Sequence, residues 1–204
     1  IRFFVTSLGK PDWVVRRVEA VGGRVYHDVT ERKWAQKGVD SGVHGLIAVN
    51  ARAGGHSGHL GARALLDDIG DLGLPVVCAG GIGTELEFTD VLRLGYAGVQ
   101  MGTRFIATDE CTASVEYKQA IVDAREGDIV HSERLTGVPV AVIDTPFIRR
   151  LGLRAGPVAR WMLRGRRTKH LMRTIYALRS LRQLRRSLSS AGADGDYWQA
   201  GRSV

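Results

Sequence analysis

Two rhythms alternate along the first hundred residues. Short apolar or β-branched runs read as strands: Arg2-Phe3-Phe4-Val5-Thr6-Ser7, Arg24 to Val29, Gly45 to Val49, Pro75 to Ala79, and Gly98 to Met101. Between them lie stretches with helical spacing. Pro11 to Val21 is predicted helical, with Val14, Val15, Val18 and Val21 on its inner face. Thr30 to Gln36 reads as a helix capped by Thr30 and broken at Lys37-Gly38 and Ser41-Gly42. Leu60 to Leu72 and Glu85 to Leu94 complete the series. One strand and one helix take roughly 20 to 30 residues, the spacing of a parallel sheet. Five such units make either a doubly wound domain or one part of a (β/α)8 barrel. A barrel of only five strands cannot close.

The pattern changes after Phe105. Cys111 to Glu126 reads as a helix with Val115, Ala120 and Ile121 inward. Leu135 to Val142 is extended or irregular, and Thr145-Pro146 marks a break. In residues 147–190, Trp161, Met162, Leu171, Met172, Ile175, Leu178, Leu181, Leu184 and Leu188 recur every three or four positions, with Arg and Lys between. That spacing predicts one or two basic amphipathic helices. Residues 191–195 form a link, and Tyr197-Trp198 restore aromatic character.

Charge sharpens this division. The 204-residue chain carries a formal net charge of +8. Thirteen of its 29 Lys and Arg residues fall in residues 147–190, which hold no Asp or Glu; the rest has sixteen basic residues against 21 acidic. The segment is a helical cover with solvated arginines, a cradle for the phosphates of a CoA, acyl-carrier or NAD(P)H partner, or a surface for nucleic acid or anionic membrane. The glycine-turn motifs of the first hundred residues account for the rest of the chain without nucleic acid, so no nucleic-acid partner is expected. No apolar run is long enough to span a bilayer. Two cysteines give no disulfide framework and no leader is visible, so the expected setting is the cytoplasm. Cys78, within an apolar strand, is expected in the core.

Three strand ends carry the candidate chemistry. Gly45 to Val49 runs into Asn50 and then Ala53-Gly54-Gly55-His56-Ser57-Gly58. Adjacent glycines permit a sharp turn and close ligand approach, and place His56 at the carboxyl end of a strand, where α/β folds bind ligands. The bland alternative is a glycine turn bearing a surface histidine. Pro75 to Ala79 runs into Gly80-Gly81-Ile82-Gly83, with Thr84-Glu85 opening a helix, and Gly98-Val99-Gln100-Met101 runs into Gly102-Thr103-Arg104. Two such turns on successive parallel strands free backbone N–H groups for a phosphate. Asn50 either meets a ligand oxygen or satisfies a turn. Arg104 is expected to pair with a carboxylate and brace the phosphate turn. His59 follows His56 by three residues, but no carboxylate or cysteine accompanies them at ligand spacing, so no metal is expected. His27 beside Asp28 reads as a surface pair.

These stretches resemble the nitronate monooxygenase family, formerly called 2-nitropropane dioxygenases. The likeness rests on Ala53 to Gly58, Ala79 to Ile82, Met101 to Cys111, Thr136-Gly137-Val138-Pro139, and Tyr197-Trp198-Gln199-Ala200-Gly201. It implies an α/β fold made of the C-terminal five strands (4–8) of a TIM-type (β/α)8 barrel, followed by a basic helical segment. Residues 1–146 are then a partial FMN-binding barrel, 147–190 the basic segment, and 191–204 a tail returning to the flavin site. The first three strands are expected to be missing, so the chain reads as a fragment. By resemblance, Gly80, Gly81, Gly102 and Thr103 hold the FMN phosphate, and Ala53, Gly54, Gly55, Gln100 and Met101 lie against the cofactor. His56 is the implied base or substrate-orienting residue, with Asn50 and Ser57 as substrate contacts. The implied reaction oxidises an alkyl nitronate with O2 to a carbonyl compound and nitrite. The same barrel serves flavin enoyl-thioester and quinone reductases that use NAD(P)H, which is the alternative. Relatives often carry glutamate where Arg52 stands; Arg52 favours an anionic substrate or points outward. Asp28 stands where quinone-reductase relatives carry lysine.

Overall fold

The five apolar runs form five parallel strands: β1 (Phe3–Thr6), β2 (Arg24–Val29), β3 (Gly45–Val49), β4 (Val76–Ala79) and β5 (Gly98–Gln100). The structure is a computed structural model that describes residues 1–165, the single positions 168, 172, 174, 176 and 178, and residues 198–203. The chain divides into two compact units. One comprises Ile1–Ala53, Ser57–Gly102 and Ser203; the other comprises Gly54–His56 and the described part of Thr103–Arg202.

In the first unit the strands pair strictly in chain order, β1-β2-β3-β4-β5. Val25 lies beside Phe4, Ala48 beside Val29, Cys78 beside Ala48, and Val99 beside Cys78. A doubly wound sheet reverses its order at a switch point, whereas a (β/α)8 barrel does not. The fold is therefore α/β, with five consecutive strands of a TIM-type barrel. Alternate strand residues Val25, Val29, Leu46, Ala48, Val76 and Cys78 pack on one face of the sheet. They meet Val15 and Val18 of helix α1 (Asp12–Glu19), Ala35 of α2 (Arg32–Asp40), Leu65 and Ile69 of α3 (Ala62–Ile69), and Val91 of α4 (Glu85–Leu94). On the opposite face the Tyr26 ring lies where a Cβ on Gly45 would sit, only 2.2 Å away, and packs on Phe3 with centroids 4.9 Å apart.

Several local expectations change. Val21 is exposed, because α1 ends at Glu19 before the spacing reaches it. Thr30 does not cap α2; the helix starts at Arg32, whose N–H donates to Asp68 Oδ2 at 2.8 Å. The cap is thus supplied by α3, thirty-six residues away. Gly38 does not break α2 but lies buried within it, against His27, Leu46 and Val43. His27 is not a surface residue: it is 3% exposed and its Nδ1 contacts Thr6 Oγ1 at 2.9 Å.

The second unit holds helices α5 (Thr103–Ile106), α6 (Val115–Asp123), α7 (Pro146–Leu151) and α8 (Pro157–Arg164), and a hairpin of β6 (Ile129–Ser132) and β7 (Val140–Ile143). The helix expected from Cys111 begins only after Ser114, whose hydroxyl accepts from Tyr117 N–H, and Val115 points to solvent. The stretch expected to be extended or irregular ends in β7, which pairs with β6 as a hairpin. The break at Thr145-Pro146 is a helix start, capped by the Thr145 hydroxyl with Pro146 in the first turn. Tyr117 stacks on Trp198, centroids 4.8 Å apart, beside Ile121, Ile129, Ala141, Ile143 and Ala200. Of the basic segment, Trp161 is exposed and Tyr176 buried; residues 179–197, with much of the predicted helix and link, lie outside the described residues. No described helix is long and apolar enough to cross a membrane.

Candidate active site

In the first unit, β4 and β5 end side by side, Ala79 paired with Gln100, so Gly80-Gly81 and Met101-Gly102 leave neighbouring strand tips. Gly80 and Gly81 take φ of +113° and +74°, a region that L side chains rarely occupy. Gly80 also has no room for a side chain: a Cβ would stand 2.5 Å from Ala53 N. Gly81 and Ile82 are buried, yet among the described residues their backbone N–H groups have no acceptor. Gly102 is exposed; its N–H has no protein acceptor among the described residues, and a Cβ there would meet nothing within 4 Å. Buried N–H groups without acceptors are rare in native folds. Unmet N–H groups on adjacent strand tips make a candidate anion site.

The helix N-terminus beside this turn contributes less than expected. Glu87 Oε2 accepts from Gly83 N–H at 2.8 Å and from Thr84 N–H at 3.1 Å, while Thr84 Oγ1 accepts from Glu87 N–H. This capping box fills α4's first turn with the protein's own carboxylate. Hydrogen bonds from these N–H groups help hold Glu87 below the usual carboxylate value against a raising effect of burial. Arg52 pairs with Glu87 at 3.2 Å, and its side chain covers Gly81. Arg52 is thus partly exposed and paired with the helix-capping carboxylate. Arg104 is exposed and has no carboxylate partner among the described residues.

Asn50, 1% exposed, satisfies turns. Its Nδ2 donates to Gly80 O at 2.8 Å and its Oδ1 accepts from Arg52 N–H at 2.8 Å. It ties the loop after β3 to the glycine turn after β4. Ala53 is buried against Gly80. Gln100 is exposed, on the face opposite Val99, whereas Met101 packs against the hydrophobic core. Ser57 is half-buried. Asp28, next to last in β2, has its Oδ1 buried and without a hydrogen-bond partner among the described residues. Burial pushes its carboxyl above the usual value, opposed by a hydrogen bond with Ser7.

In the second unit, Gly54-Gly55-His56 lines up against β7. Ala141 N–H donates to Gly55 O at 2.7 Å, and Val142 bridges to Gln199 on its way along the strand. A Cβ on Gly54 would come within 2.8 Å of Gly201 N, so the closing Trp198–Arg202 stretch passes directly over this turn. Thr103 Oγ1, buried, accepts from Gly201 N–H at 2.9 Å; its hydroxyl anchors the tail. The His56 ring is exposed and its Nε2 lies 3.0 Å from Thr136 Oγ1. Desolvation of part of the ring lowers the His56 pKa from the usual histidine value and so favours the neutral imidazole. Thr136 and Glu87 carry roles that sequence reasoning missed. The Thr-Gly-Val-Pro stretch and the Thr84–Glu87 spacing were the available signals.

The family model for nitronate monooxygenase matches residues 2–200. The chain belongs to the nitronate monooxygenase family. A probable nitronate monooxygenase of Staphylococcus saprophyticus is 36% identical over 123 residues, covering 54% of this chain and 35% of that protein. A (3aS,4S,5R,7aS)-5-hydroxy-7a-methyl-1-oxo-octahydro-1H-indene-4-carboxyl-CoA dehydrogenase of Mycobacterium tuberculosis is 28% identical, over 74% of this chain and 44% of that one. Among solved structures, FabK of Thermotoga maritima superposes with a TM-score of 0.75 at 26% identity, over all of this chain and 61% of its own. Nitroalkane oxidase of Streptomyces ansochromogenes gives 0.66 at 29% identity, over 72% and 47%. This member of the nitronate monooxygenase family spans less than half the length of the curated relatives it matches.

Proposed function

We propose that the chain carries the FMN-phosphate and base residues of an FMN-dependent nitronate monooxygenase. The observation that carries the reading is the pair of strand tips whose Gly81, Ile82 and Gly102 N–H groups have no acceptor among the described residues. They supply a ready anion site, and Thr103 follows Gly102 directly. FMN, when bound, supplies the electron transfer to O2. His56 supplies what a nitro compound needs: a neutral imidazole that takes the proton α to the nitro group or, once charged, holds the resulting anion. Family membership supports both roles.

A second reading has its own support. The carboxyl-CoA dehydrogenase of M. tuberculosis matches three-quarters of this chain, and residues 147–190 are basic without an acidic residue. An NAD(P)H-dependent reductase of a thioester or quinone would use the same FMN site and direct the arginines at a partner's phosphates. The two readings separate in one anaerobic experiment. The full chain, loaded with FMN, is mixed with an alkyl nitronate or with NAD(P)H. Bleaching of the visible flavin bands by the nitronate alone is expected. Bleaching by NAD(P)H alone overturns the first reading in favour of the second.

A further inference from the structure

Thr136 Oγ1 makes two close contacts: 2.9 Å to Val138 O and 3.0 Å to His56 Nε2. A hydroxyl has one proton and a carbonyl can only accept. The Thr136 proton therefore goes to Val138 O, and Oγ1 is left as an acceptor toward the imidazole. For the second contact to be a hydrogen bond, His56 Nε2 must carry the hydrogen. A neutral imidazole has only one, so Nδ1 keeps its lone pair, and no described group shares it. We propose that Thr136 is a positioning residue that fixes His56 as the Nε2–H tautomer and so makes Nδ1 the basic atom of the site.

The assignment rests on the proposed role of His56 and specifies the atom. In the step, the α C–H bond of a neutral nitroalkane breaks and its electron pair delocalises onto the nitro oxygens. The proton forms a bond to Nδ1. Nε2–H stays with Thr136, whose oxygen then accepts from an imidazolium. The same contact thus serves before and after proton transfer, without a ring flip. The neutral ring is kept available by its depressed pKa, and the Gly55 backbone next to it is tied to Ala141, which limits how far the imidazole can drift.

The test is made on the full chain with its histidines labelled with the heavy nitrogen isotope. Two-bond nitrogen–proton correlation spectra above the His56 pKa separate the tautomers. The Nε2–H form is expected for the wild type and for Thr136→Ser, and a mixture of both forms for Thr136→Val. An Nδ1–H ring in the wild type, or a Thr136→Val spectrum identical to it, overturns the assignment. With a neutral nitroalkane, Thr136→Val is expected to lose about tenfold in kcat, recovered in Thr136→Ser. Should Thr136→Val not fold, the wild-type tautomer and Thr136→Ser still decide. If the tautomer is as proposed but His56→Ala turns over substrate at the wild-type rate, the role of Nδ1 falls while the tautomer assignment stands.

Discussion

In the proposed reading His56 carries the proton chemistry of the site, and its surroundings set when it works. It sits on a glycine turn whose backbone is hydrogen-bonded to β7, and its ring is held at one nitrogen by Thr136. His56→Ala should therefore lower turnover of a neutral nitroalkane by at least about a hundredfold while FMN absorbance stays with the protein. Loss of bound FMN in that variant would show that the residue holds the cofactor rather than the substrate. The pH dependence has a definite sign. The base form is neutral, and desolvation lowers the pKa. Activity should be full at pH 7 and fall as pH drops through a value below the ordinary histidine figure of about 6.5. An acid limb centred above that figure would contradict the direction of the shift. Asn50 teaches the opposite lesson. An amide after a strand looks available to a ligand, yet both its ends are used by backbone, at Gly80 O and Arg52 N–H. A buried amide goes where unsatisfied backbone groups are, and these become visible only once the turns are folded.

At the scale of elements, the unit of construction is the strand tip with its turn. Glycine is required at Gly80 on two counts: its φ is +113° and its Cβ direction is blocked by Ala53 backbone. Neither obstacle is a flexible side chain, so neither relaxes. Gly102 differs, since nothing lies within 4 Å of where its Cβ would be and its φ is not positive. The pair makes a discriminating experiment. Gly80→Ala should lower stability by at least about 1–3 kcal/mol, seen as a lower denaturant midpoint. Gly102→Ala should leave that midpoint almost unchanged and weaken FMN, because the new methyl enters the space proposed for the phosphate. Equal FMN affinity in Gly102→Ala would remove Gly102 from the cradle. The α4 N-terminus adds a correction to the general expectation that helix starts attract anions. Here Glu87 already occupies it, with Arg52 as counter-charge. The phosphate reading rests on the turn, at Gly81, Ile82 and Gly102, and not on the helix end.

At the scale of the whole chain, the distribution of charge is the remaining prediction. The net +8 comes from residues 147–190. A segment that covers a fold or steers an anionic cofactor should show only weak, non-specific attraction to duplex DNA. That binding should vanish between about 50 and 200 mM salt, without change in FMN content. Binding that survives the salt, or that displaces FMN, would make nucleic acid a real partner. The family model matches residues 2–200, so membership covers nearly the whole chain even where substrate does not follow from it.

Much was legible because it is local. Strand and helix periodicities, paired glycines before a histidine, and the order of five apolar runs are properties of neighbouring residues, and they sufficed for an α/β barrel-type unit. Other features depend on residues far apart. Thr136 meets His56 across eighty positions, Asp68 caps a helix thirty-six residues earlier, and Gly201 finds the Thr103 hydroxyl from the far end of the chain. Packing decides which donors and acceptors are left without water, and those groups then choose their partners; no stretch of sequence contains that information by itself.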